Sequence, residues 1–381
     1  SIIELNWARV IKMSPATRFV EINEPLSMKK GGYLPSYTLA YETWGELNAE
    51  RSNAVLILSG LSPSAHAASS KQDPTPGWWE PMIGPGSPID TERFFVIALN
   101  SLGSCKGSTG PASENPATGK PYRLDFPELC VEDIAASAYQ LVKHLGIEQL
   151  CALVGPSMGG MSSLSYLQQI PAGVRHHLGI SGSPHSAAWS IAIRSLQREL
   201  IVSDPAWNDG NYTDEKWPVK GMRMARKLGM LSYRSSQEWR TRFGRREQDY
   251  FPTELFGMNF EVESYLEAAA RRFVHSFDPC SYLYLSRAMD WFDVADGYAD
   301  LPTALAGIEL KSACVIGVET DILFPAYQQK EIADALLANG TDTSFANLES
   351  LMGHDAFLVD YDHFNPHVTS YFDRVWYEDS L

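Results

Sequence analysis

Ser157 stands in Leu153-Val154-Gly155-Pro156-Ser157-Met158-Gly159-Gly160, a G-x-S-x-G pentad after an apolar run and before a helix-compatible stretch. In that context the pentad reads as a nucleophile elbow, a strained strand-to-helix turn that exposes the serine hydroxyl. Gly155 and Gly159 keep Cβ atoms away from a backbone that doubles back, and Gly160 extends the close packing. The amide of Met158, at the helix start, is placed to donate to an oxyanion.

A serine hydroxyl is a weak nucleophile without a base, so an acid and then a histidine are expected later in the chain. Nine histidines are available. His66 and His185 follow loop signals, His144 lies in a helical stretch, and His176 and His177 precede a strand. His275 falls within the helical insertion, and His363 and His367 fall in a terminal helix. His354, in Leu351-Met352-Gly353-His354-Asp355-Ala356-Phe357, is the best base, because Gly353 lets the backbone bring the imidazole close to Ser157. The acid is expected at Asp321, just beyond the apolar run Ala313–Val318, with Glu319 at the strand end as its rival. Ile322-Leu323-Phe324-Pro325 would bury the Asp321 carboxylate while it fixes the imidazole tautomer. The order Ser157, Asp321, His354 is that of the α/β-hydrolase fold. A second oxyanion donor is expected from Gly60-Leu61-Ser62-Pro63, with the amide of Leu61 favoured. No metal site is expected, since no His, Cys or acidic group follows a ligand spacing.

These residues need a sheet to present them. Asn53–Leu58, Phe94–Leu99, Leu150–Val154, Leu178–Ile180 and Ala313–Val318 are apolar runs of strand length, and Val131–Leu145 has helical period. Strands apolar on both faces and separated by helices predict a mostly parallel sheet covered on both sides. Arg18–Ile22 and Tyr37–Thr43 alternate and extend it. The rhythm breaks between about 185 and 300, where Leu228–Trp239, Glu261–Phe273 and Ser281–Phe292 read as helices. The expected organisation is a core in two parts, residues 1–184 and 302–381, interrupted by a helical lid at 185–301.

The net charge of −15 and the absence of a sustained basic run argue against a nucleic-acid surface. Residues 185–300 hold 15 of the 31 Lys and Arg against 17 acids, so that stretch is nearly neutral and the rest strongly acidic. Five dispersed cysteines without a C-x-x-C pair fit reduced thiols in the cytoplasm. Ser1-Ile2-Ile3-Glu4 shows no signal-peptide head, and no apolar run has membrane-spanning length.

The triad leaves esterase, thioesterase and acyltransferase open. Over nearly its whole length, however, the chain resembles the homoserine O-acyltransferase family of the α/β-hydrolase superfamily. The resemblance rests on Tyr41-Glu42-Thr43-Trp44-Gly45, the stretch from Asn100 through Lys106 to Pro111, Gly155–Met161, Ala225-Arg226-Lys227-Leu228-Gly229 with Tyr233-Arg234-Ser235, Glu263-Ser264-Tyr265-Leu266, and Gly353–Phe357. It implies ping-pong transfer of an acetyl or succinyl group from an acyl-CoA co-substrate to a small hydroxy amino acid. It also implies a cytoplasmic homodimer in sulfur amino-acid biosynthesis, with no bound cofactor. Carried onto this chain, it gives the nucleophile to Ser157, the base to His354, its orienter to Asp321 and the oxyanion amides to Leu61 and Met158. Arg226 would clamp the acceptor carboxylate, Tyr233 line the site and Asp355 receive the ammonium. The bland alternative for Arg226 is an exposed helix charge.

Ser59-Gly60-Leu61-Ser62-Pro63-Ser64-Ala65-His66 departs from the H-A-L-T-G-type loop of many acetylating members. Arg194 falls where an acetyl chain would need no cation. Both features resemble the branch that succinylates serine, and they favour succinyl-CoA as donor. Arg198, one turn on, is the alternative reader, and the bland reading pairs both arginines with Glu199 or Asp204 on an exposed surface. Homoserine as acceptor and acetyl as donor stay open, and no residue is singled out for the CoA moiety.

Overall fold

The apolar runs become the inner strands of one eight-stranded sheet in the computed structural model, which describes residues 13–250 and 252–379. The reading of Ser1–Glu4 lies outside the described residues. The strands are β1 Arg18–Ile22, β2 Tyr37–Trp44, β3 Ala54–Leu58, β4 Phe95–Leu99, β5 Leu150–Pro156, β6 Val174–Ile180, β7 Ser312–Val318 and β8 Asp342–Leu348. Their order across the sheet is β1-β2-β4-β3-β5-β6-β7-β8. β1 pairs antiparallel with β2 and β2 with β4, whereas every pairing from β4 to β8 is parallel.

Every residue of β3, β5 and β7 is buried, which is why those runs are apolar without alternation. Successive side chains still face opposite ways. Leu56 and Leu58 join the core on one side of the sheet, Val55 and Ile57 the core on the other. The longer helices are α1 Val131–His144, α2 Met158–Gln169, α3 Ala188–Val202, α4 Val219–Tyr233, α5 Ser236–Arg242, α6 Glu261–Val274, α7 Pro279–Trp291, α8 Ala326–Ala338 and α9 Tyr361–Asp379. Apolar residues of α1, α2 and α8 pack into the first core, and Phe364, Val368 and Phe372 of α9 fill the second. Helices α3 to α7 all fall between β6 and β7, so the expected α/β-hydrolase arrangement with an inserted helical lid is the one the chain adopts.

Three expectations about elements need correction. Leu228–Trp239 is not one helix but parts of two, because Ser235 is extended and its hydroxyl caps α5 by accepting from the Glu238 amide at 3.0 Å. His176 and His177 do not precede a strand; they lie inside β6, buried. His176 bonds Ser312 Oγ at 2.7 Å and Asp379 Oδ1 at 3.1 Å, and His177 bonds the Leu153 carbonyl at 3.0 Å, so neither is left unpaired. The edge strand β8 was not foreseen, since Asp342-Thr343-Ser344-Phe345-Ala346-Asn347-Leu348 is too polar to read as an inner strand. Among the described residues, no helix is long and apolar enough to cross a membrane.

Candidate functional site

Ser157 joins β5 to α2 with φ 58° and ψ −126°, a conformation that costs a non-glycine residue about 1–3 kcal/mol. The glycines around it explain how so tight a turn closes. A Cβ on Gly155 would lie 2.2 Å from the Gly159 carbonyl oxygen, and one on Gly159 would lie 1.7 Å from the Leu58 carbonyl oxygen. The Ser157 amide donates to the Ile180 carbonyl at 2.9 Å, which locks the turn to β6.

Ser157 Oγ lies 2.7 Å from His354 Nε2, and His354 Nδ1 lies 2.7 Å from Asp321 Oδ2. An ionised carboxylate only accepts, so Nδ1 carries the proton and Nε2 is free to accept from the serine hydroxyl. Asp321 is held in turn by the amides of Leu323 and Phe324, at 2.9 and 2.8 Å on Oδ1. Phe324 stacks on the imidazole at 4.7 Å between ring centres. Glu319 is exposed, and no bond joins it to His354 among the described residues. Thr320 ties the two loops together, donating to the Ser350 carbonyl at 2.8 Å and accepting from the Gly353 amide at 2.9 Å. Gly353 has φ +66°, and a Cβ there would sit 2.8 Å from the Arg234 carbonyl carbon. The imidazole turn therefore packs directly on the end of α4.

Leu61 lines the cavity above Ser157, and Met158 is the first residue of α2. A Cβ on Gly60 would lie 3.7 Å from Ser157 Cβ, so this loop abuts Ser157. Three side chains hold three successive carbonyls of the same loop. Lys106 donates to Ser62 at 2.7 Å, Asn100 to Pro63 at 3.3 Å, and Trp78 to Ser64 at 3.0 Å. Burial, with a smaller contribution from nearby Arg226, pushes the Lys106 ammonium below the usual lysine range. Lys106 carried no role in the sequence reading, and only the fold shows that it holds the loop of Leu61.

The lid roofs a cavity of about 170 Å³ that brings together Ser157, His354, Leu61, Arg194, Arg226, Tyr233 and Asp355. Arg226, on α4, has its guanidinium over Phe273 at 4.6 Å and over Tyr233 at 5.5 Å. Its Nε is buried without a hydrogen-bond partner, and among the described residues it has no carboxylate partner. It is thus not the exposed helix charge of the bland reading. Burial raises Asp355 above the usual carboxylate range, against the pull of His354, Arg234 and Arg226. Arg234 Nε lies 3.4 Å from its Oδ2. Burial likewise raises the Tyr233 phenol, which is hydrogen-bonded to Tyr282.

Arg194 is 4% exposed. Its Nε donates to Asp290 Oδ1 at 2.7 Å and its Nη2 to Ser186 Oγ at 2.7 Å. Arg198 Nη2 reaches the other Asp290 oxygen at 2.6 Å. Pairing with Glu199 or Asp204 on an exposed surface is therefore not what these arginines do. Asp290 had no local signal in the sequence, and its place between two cations leaves the trio with one net positive charge, its Arg194 lining the cavity that holds Ser157. Among the described residues, no three His, Cys, Asp or Glu side chains converge to hold a metal.

The family profile described as alpha/beta hydrolase fold matches residues 53–361. Serine O-succinyltransferase of Stenotrophomonas maltophilia is 57% identical over 365 residues, 95% of this chain and 98% of its own. L-serine/homoserine O-acetyltransferase of Streptomyces lavendulae is 55% identical over 363 residues, 94% and 97%. Among solved structures, homoserine O-acetyltransferase from Bacillus anthracis superposes with a TM-score of 0.86 at 29% identity, covering 93% of this chain and 97% of that one. Esterase E22 superposes with 0.84 at 29%, covering 93% and 98%.

Proposed function

The chain belongs to the serine/homoserine O-acyltransferase family on the α/β-hydrolase fold, and we propose that it transfers a succinyl group from succinyl-CoA to the hydroxyl of L-serine through an ester on Ser157. The observation that carries this reading is the unbroken chain from Asp321 through His354 to Ser157 on the floor of a cavity that also presents Arg194 and Arg226.

In the first half-reaction Ser157 Oγ attacks the thioester carbonyl carbon while its proton passes to His354 Nε2. The amides of Leu61 and Met158 would take the oxyanion. Collapse breaks the C–S bond, and the leaving thiolate receives the proton from His354. In the second, the acceptor hydroxyl gives its proton to His354 and its oxygen attacks the ester carbonyl. Ser157 Oγ then leaves and takes the proton back. Asp321 holds the imidazole and stabilises its protonated form throughout.

An amino-acid zwitterion fits one fixed cation and one fixed anion. Arg226, whose Nε has no protein partner, suits the α-carboxylate; Asp355 suits the ammonium, and Tyr233 closes the wall between them. A succinyl chain ends in a carboxylate whose burial unpaired would cost several kcal/mol, and the net positive Arg194–Asp290–Arg198 trio offers the countercharge. The helical insertion at 185–301 acts as the lid over the core strands and helices on either side of it. All five cysteines are free and buried, which fits work in the cytoplasm. A homodimer serving cysteine or methionine synthesis completes the proposal.

Steady-state assays with both donors and both acceptors test it. The succinyl-CoA and L-serine pair should give the highest kcat/KM. A higher value with homoserine or acetyl-CoA would move the assignment within the family. Thiol release independent of any acceptor would favour an esterase or thioesterase.

A further inference from the structure

A second cavity, of about 350 Å³, adjoins the catalytic one between α4 and α6. Arg226, Tyr233, Phe273 and Asp355 line both, so a chain passing from one to the other runs along these four residues. Arg234, Arg272 and Tyr265 complete the outer walls. The charge balance is uneven. Arg234 is shared between Asp355 at 3.4 Å and Glu238 at 3.3 Å. Arg272 is exposed and has no carboxylate partner among the described residues, and neither has Arg226. Arg242 adds a further guanidinium 4.3 Å over Tyr265, with Glu238 at 3.6 Å as its partial counterion. Three arginines thus face one carboxylate inside the annex, in a chain whose net charge is −15.

We propose that this annex takes the phosphate-bearing arm of the acyl-CoA, with Arg272 reading phosphate; the proposal rests on the acyltransfer reading above. A polyanionic donor approaching a strongly acidic protein needs a local cationic entry, and guanidinium groups suit phosphate oxygens. Tyr265 and Phe273 supply apolar walls for the arm between phosphate and thioester. The shared wall has a mechanistic consequence. An arm threaded from the annex to Ser157 covers Arg226 and Asp355, the groups assigned to the amino-acid acceptor. Donor and acceptor therefore occupy that wall in turn, which enforces ping-pong order by exclusion and makes high acceptor concentrations competitive against the donor.

Arg272→Glu tests the assignment, because Arg272 has no part in the catalytic machinery. With succinyl-CoA the variant should show a KM raised about tenfold or more, equivalent to one charged contact of about 1.4 kcal/mol, with kcat little changed. With succinyl-N-acetylcysteamine, a thioester without phosphates, its KM should match the wild type. An unchanged KM for succinyl-CoA, or an equal rise with both thioesters, overturns the proposal. Calorimetric titration with coenzyme A alone separates this failure from failure of the transfer reading, since it needs no turnover. Binding weakened about tenfold by Arg272→Glu supports the annex, and binding of equal strength to both proteins overturns it.

Discussion

Asp290 and Arg194 form a buried ion pair at 2.7 Å, one on α7 and the other on α3, at the side of the cavity that holds Ser157. Two of the Arg194 nitrogens are thereby fixed by the lid itself, so its guanidinium is preorganised before any acyl chain arrives. Replacing Arg194 with leucine leaves Asp290 paired with Arg198. Wild type should prefer succinyl-CoA over acetyl-CoA by about tenfold or more. Arg194→Leu should erase or reverse that preference while Ser157 still accepts an acetyl group. Competition between the two donors measures it, and a preference that survives the substitution means Arg194 does not read the chain.

Removing the carboxylate has a different outcome. Asp290→Asn strands two neighbouring guanidinium groups, one of them buried, and should destabilise the fold by about 3–5 kcal/mol. Denaturant titration reads this as a lower midpoint at an unchanged slope.

Arg226→Met should damage the second half-reaction more than the first. Loss of a charged hydrogen bond in a closed site costs about 2–4 kcal/mol. Rapid-quench measurement of acylation and of acyl transfer separates the halves, and equal damage to both would show that Arg226 does not hold the acceptor.

Asp355 gives a pH signature. Burial holds its carboxyl above the ordinary value of 3.8, so it takes up a proton earlier than a typical carboxylate as pH falls. An acceptor ammonium needs the ionised form. The acceptor KM should therefore rise on acidification while Asp355 protonates, with no matching change in donor KM. Asp355→Asn should show a high acceptor KM that no longer varies over that range. Parallel changes in both KM values would place the titrating group elsewhere.

Lys106→Met should slow both half-reactions, because Lys106 holds the Ser62 carbonyl and with it the loop that carries the Leu61 amide. Loss of a charged hydrogen bond costs about 1.5–3 kcal/mol, roughly ten- to a hundredfold in rate if it is expressed in the transition state. Unchanged acylation with slowed transfer would instead assign Lys106 to the acceptor.

The legible parts of the fold were those where burial on two faces leaves a continuous apolar run, as in β3, β5 and β7. β6 was read only at its apolar end, because His176 and His177 interrupt the pattern with polar groups whose partners are up to 203 residues away. The break between α4 and α5 did have a local signal, Ser235 followed by Glu238, but the helical run across it was stronger to the eye. Ser157, Asp321 and His354 could be found because their chemistry dictates both context and order. Asp290, Lys106 and Arg272 could not. Their meaning lies in what they face across the lid, and no spacing along the chain encodes that.

The most direct test of the central claim is the intact mass of the protein after brief exposure to succinyl-CoA without acceptor. Wild type should gain one succinyl group, lose it on addition of L-serine, and yield O-succinylserine in equal amount. Ser157→Ala should gain nothing. A wild-type protein that releases coenzyme A only when L-serine is present and never carries the acyl group would contradict the covalent route, as would an increment that persists in Ser157→Ala.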